Sequence, residues 1–175
     1  VSANRTRIIL TVLALAFELA HLSWEHFHGG VLAHHLLNRA DMPAISNWWG
    51  ALVIPALTWV LTGRIQSRDA KRYSNTFGRA RVAPAVLAGF FGALAYGAAL
   101  ALAFTLNHAA VSYLFLALFA VSVVVPTYRA EYVLGFVLAM TFTFGAVLPT
   151  IIALVIAAFS RLVHLLFGFI WRLIR

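Results

Sequence analysis

Apolar residues run along this chain in blocks near 20 residues, separated by short clusters of arginine, asparagine, glycine and proline. A helix rising about 1.5 Å per residue needs about 20 such residues to cross the hydrocarbon of a bilayer. The pattern predicts transmembrane helices over about residues 8–27, 44–61, 82–106 and 109–127. Gly29-Gly30 punctuates the first, a short helical or re-entrant piece follows over Val31 to Leu37, and Asn38 to Pro43 reads as a turn. Pro55 is placed to kink the second span, and Asn107-His108 makes a tight turn before the fourth. The stretch Arg64 to Arg81 reads as a polar loop.

The C-terminal third admits two readings. Tyr132 to Phe159 is long enough for one tilted helix kinked at Pro149. After it, Arg161, His164, Gly168, Arg172 and Arg175 recur at i, i+3, i+7, i+11 and i+14, the stripe of a helix lying in the interface. The alternative turns the chain near Gly145 to Pro149 and gives a sixth span. The expected fold class is all-α: a polytopic membrane helix bundle of about five transmembrane helices plus a C-terminal amphipathic helix, with six spans as the alternative. Residues 1–175 form a single transmembrane domain in either case.

Composition excludes a soluble domain. The chain is 63% hydrophobic and 10% charged, with a mean hydropathy of +0.92, where soluble domains carry about 25% charged residues. The net charge of +8 sits in short stretches between apolar spans, so it marks membrane orientation and not nucleic acid. Arg5 and Arg7 place the N-terminus in the cytoplasm with the Arg64 to Arg81 stretch, and residues 25–47 outside, in a cell inner membrane. No small-residue cleavage site follows the first span, so it is expected to be retained. Cysteine is absent, which excludes disulfides and thiolate ligands, and no span contains the lysine a retinal Schiff base requires. Ala85, Gly89, Ala93, Gly97 and Ala101 repeat a small residue every fourth position and predict close helix packing.

The chemistry is concentrated in one place. Between Glu18 and His35 lie Glu18, His21, Glu25, His26, His28, His34 and His35, which include five of the seven histidines. Ionisable groups at membrane depth are costly and mark functional sites. Glu18, His21, Glu25 and His28 fall within about 80° of one helix face. Glu-x-x-His occurs twice, but carboxylate-bridged di-iron bundles need further acids, and only Asp41, Asp69 and Glu131 remain. A mononuclear site is easier to build: His21 and Glu25 sharing a divalent metal ion, with His28, His34 or His35 completing the set. Zinc, copper and iron all suit imidazole and carboxylate ligands.

Glu18, the deepest acid, is the candidate general base, and Asp41 a candidate orienter of a ligand histidine. The expected function is an outward-facing His/Glu metal site in a metal-dependent enzyme acting on a lipid-soluble substrate. The alternative is a proton-coupled transporter, or an accessory subunit binding haem or quinone, since a Glu/His chain is also the composition of a proton path. The expected partners are the bilayer, a lipid-soluble small molecule, and a second copy or partner subunit. Ser46 and Asn47 extend the polar set and are placed to cap the second span.

Overall fold

Helix α1 (Ala3–Phe27) ends where the Gly30 N–H donates to the Glu25 main-chain carbonyl at 3.0 Å, with Gly29 and Gly30 both at positive φ. The computed structural model of the protein describes residues 3–35, 39, 41–73 and 83–175. After α1 come two short strands, β1 (Ala33–His35) and β2 (Ala44–Ser46), paired antiparallel with His34 opposite Ile45. A 3₁₀ turn over Asn47–Trp49, capped by the Ser46 hydroxyl accepting from the Trp48 N–H, leads into α2 (Gly50–Tyr73). Four more helices follow: α3 (Pro84–Thr105), α4 (Ala110–Val124), α5 (Ala130–Phe144) and α6 (Val147–Ile174).

The molecule is predominantly helical, and α1, α3 and α6 are long and apolar enough to cross a membrane. Helices α4 and α5 are apolar but have 15 residues each, about 22 Å at the helical rise. Large apolar side chains such as Ile8, Val12, Leu13, Leu154 and Phe169 face outward, as a lipid environment permits.

The fold departs from the sequence pattern in four places. The single helix preferred over Tyr132 to Phe159 is two helices, broken at Gly145, where the alternative reading turns the chain. Gly145 has φ +66°, and a Cβ there would collide with the Asn47 amide, so only glycine fits. The expected separate amphipathic helix from Arg161 is the continuation of α6, without a break. The re-entrant helical piece is strand β1, stabilised by pairing with β2 instead of by local periodicity. The expected Arg64–Arg81 loop is helical as far as Tyr73, and residues 74–82 lie outside the described residues.

The core surrounds α5. Val133, Leu134, Phe136, Val137 and Met140 are buried against Ile54 of α2, Leu100 of α3 and Ala153 and Ile156 of α6. Helices α3 and α5 pack through small residues. A Cβ on Gly97 would stand 3.0 Å from the Ala139 Cβ and the Phe136 carbonyl, and one on Gly135 would run into the Phe90 carbonyl. The small-residue ridge therefore meets α5 at Gly89 and Gly97, Ala101 is buried, and Ala85 is exposed. Arg68 of α2 ties the two helix pairs together, its Nη2 donating to both oxygens of the buried Glu131 at 3.0 Å.

Candidate functional site

Helices α1 and α2 run antiparallel, since Glu25 meets Asn47, Glu18 meets Gly50, and Arg7 meets Trp59 and Gly63. On α1, Arg7, Thr11, Glu18, His21 and Glu25 stand at i, i+4, i+11, i+14 and i+18, within about 80° of one face. That face is turned against α2. The result is a polar seam between two otherwise apolar helices.

At the loop end of the seam Glu25 is almost fully buried and firmly held. Its Oε1 accepts from Asn47 Nδ2 at 2.7 Å, and its Oε2 from the Leu32 N–H at 3.3 Å. The Asn47 N–H in turn donates to the Leu32 carbonyl at 2.9 Å, so strand, turn and helix end are locked around one carboxylate. His21 Nε2 lies 3.5 Å from Glu25 Oε1, and its ring packs against Phe142 of α5 at 5.0 Å. The Asn47 side chain also fills the space beside Gly145, which joins the α5–α6 break to the same cluster.

One turn deeper, Glu18 is completely buried. Its carboxyl fills the place a side chain at Gly50 would occupy, so a glycine at the start of α2 is what admits it. Among the described residues, both oxygens of Glu18, Nδ1 of His21, and the hydroxyls of Thr11 and Thr58 are buried without a hydrogen-bond partner. Such groups are rare in a packed interior, and each one calls for an explanation. Here these five atoms fall on the two helices of one seam; His34 Nε2 and the Thr127 hydroxyl are the others among the described residues.

The other sequence candidates stand apart. His28 follows the end of α1; its ring nitrogen Nδ1 bonds the Trp24 carbonyl at 2.8 Å and the ring stacks on Trp24 at the exposed surface. His35 Nδ1–H donates to the Met42 carbonyl at 2.7 Å. Asp41 forms an exposed ion pair with Arg39 at 2.7 Å, which holds its carboxyl below the usual carboxylate range. His34 is half-buried, with Nε2 enclosed and unbonded. Burial pushes its pKa below the ordinary 6.5, against the opposing pull of the Glu25 charge. With His35 it borders an apolar cleft of about 380 Å³ among Leu100, Phe104, Met140 and Phe144.

The structure thus brings Glu18, His21 and Glu25 together along α1 and leaves His28, His34, His35 and Asp41 outside that line. Among the described residues no three His, Asp or Glu side chains converge in a way that could hold one metal ion. Asn47 is the residue whose role the sequence pattern missed. It reads as a helix cap, yet its side chain crosses to Glu25, 22 positions earlier. Thr11 and Thr58 carry no signal of their own in an apolar span. No family model matches the chain, and no curated protein or solved structure matches it.

Proposed function

We propose that this is an integral membrane protein that takes up protons along the seam between α1 and α2, as a proton-coupled carrier or as a proton-handling subunit of a larger complex. The observation that carries this reading is the enclosed Glu18 carboxyl, with neither oxygen bonded, one turn below the His21–Glu25 pair. A carboxylate in that position is too costly to stand bare and must hold a proton or another cation. His21 offers one nitrogen toward Glu25 and leaves the other unbonded, the two-sided geometry of a shuttle. Glu25, fixed by Asn47 and Leu32, is the entry carboxylate at the loop end. Thr11 and Thr58 continue the polar line toward Arg7, with ordered water needed across the roughly 10 Å between Thr11 and Glu18.

A second reading keeps the same residues and replaces the proton by a divalent metal ion. It is favoured by the open lone pairs of Glu18 and of His21 Nδ1, and in it the cleft beside His34 would admit a lipid-soluble substrate. Elemental analysis of the purified protein, with Glu18→Gln and Glu25→Gln alongside, decides between them. Stoichiometric metal lost in both variants establishes the metal site. No bound metal, with pH-driven proton uptake into proteoliposomes that both variants abolish, establishes the proton seam. Wild-type behaviour of both variants in both assays removes the site altogether.

A further inference from the structure

At the end of the α1–α2 pair remote from Glu25 lies an open groove of about 530 Å³, lined by Arg7 of α1 and by Gly63, Arg64, Ser67, Arg68 and Lys71 of α2. We propose that this groove binds the phosphate headgroup of an anionic phospholipid, with an acyl chain lying along the outer face of α2.

The groove is built around Arg7. Its Nε donates to the Trp59 carbonyl at 2.7 Å and its guanidinium carbon lies 3.8 Å from the centre of the Trp59 ring. That double hold fixes a planar, permanently charged group and leaves its terminal nitrogens for an oxyanion. Gly63 makes the room, since a Cβ there would come within 2.7 Å of the guanidinium carbon. Arg64, Ser67, Arg68 and Lys71 follow at i+1, i+4, i+5 and i+8 from Gly63, so all of them reach one side of α2. Arg68 spends one nitrogen on the buried Glu131. Arg7, held at Trp59, and the exposed Arg64 supply the charge that the groove presents.

The apolar surroundings favour a lipid over a free anion. Val60 also borders the groove, and Leu52, Ala56 and Val60 stand at i, i+4 and i+8 on α2, all exposed. They form a track leading away from the basic cluster toward the loop end of the helix. A basic cluster capping an apolar, outward-facing track matches one phospholipid, head and tail. A free phosphate has no use for the track.

Native mass spectrometry of the intact protein released from mild detergent tests the proposal, using phosphatidylglycerol and phosphatidylcholine of identical acyl chains. Phosphatidylglycerol should be retained in preference. Arg7→Gln with Arg64→Gln should weaken its retention roughly 10- to 30-fold, at the usual strength of two basic residues near an anionic lipid surface. Arg172→Gln with Arg175→Gln, at the far end of α6, should leave it unchanged, and circular dichroism of both double variants should match the wild type. Equal retention of the two lipids, or loss only in the α6 variant, overturns the proposal. So does displacement of phosphatidylglycerol by millimolar inorganic phosphate, which would show a small-anion site with no role for the chain.

Discussion

The two ends of the α1–α2 pair use one device to opposite effect. At each, a glycine on α2 gives up its side-chain space to an ionisable group on α1: Gly50 to Glu18, and Gly63 to Arg7. At the loop end the space is sealed. Glu18 is fully enclosed, Glu25 is held by two donors, and α5 and the Gly145 break close over the cluster. At the other end the groove is open, Arg7 is half-buried and Arg64 is exposed. Enclosure, more than residue type, separates a site that holds a charge from one that presents it. An enclosed acid must find a proton or an ion, whereas an open arginine can wait in interfacial water for an anion.

The largest contrast should appear on truncation. Glu25→Ala strands the buried Asn47 amide and the Leu32 N–H, and should cost about 2–4 kcal/mol. Arg7→Ala loses one hydrogen bond and one ring contact at a wet surface, and should cost about 1 kcal/mol. Thermal unfolding in detergent measures both; equal losses would erase the distinction between the ends.

The glycines give the next largest effect, and it is unequal. Gly50→Ala drives a methyl group into the enclosed Glu18 carboxyl and should destabilise by about 1–3 kcal/mol. Gly63→Ala displaces the Arg7 guanidinium into the open groove, and a helix-propensity gain of up to about 1 kcal/mol offsets that loss, so it should be near neutral. The same unfolding assay reads both.

A smaller effect concerns pH at the loop end. His34 has its folded pKa lowered, so between that value and 6.5 the unfolded chain binds more protons than the native one. Stability contributed by neutral His34 is therefore complete above 6.5 and falls as the solution is acidified through that window. His34→Phe, which keeps the ring against Phe144, should flatten that part of the pH–stability curve. A curve of unchanged slope would show that another group governs it. Orientation is the last check, and it changes no energy. Cysteines at Ser67 and at His26, both exposed, should react with impermeant reagents from opposite sides of the membrane, as the arginine distribution requires.

The contrast between the ends also marks what the chain displays openly. The spacing of Glu18, His21 and Glu25 is a helical spacing, and a continuous α1 realises it directly. His28 continues the count on paper, but the helix stops at Phe27 and the ring folds back onto Trp24. Strands of three residues have no periodicity to read, so β1 and β2 emerge only through their pairing. The charged residues of α2 read as loop because charge is costly in lipid. In the structure Arg64 and Arg68 ride on the helix, Arg64 exposed at the open groove and Arg68 paired with Glu131. The Gly145 break is visible as Gly with a nearby Pro, yet what makes it obligatory is Asn47, almost 100 residues earlier. Contacts of that range leave no trace in local pattern.

The central claim is that Glu18 holds the seam's cation, and infrared difference spectroscopy of the purified protein reads it most directly. The account predicts a carbonyl band from a protonated, water-excluded carboxylic acid that shifts in deuterated water. That band should vanish in Glu18→Gln and persist in Asp41→Asn. Its presence unchanged in Glu18→Gln, or its absence from the metal-free wild-type protein, would contradict the account.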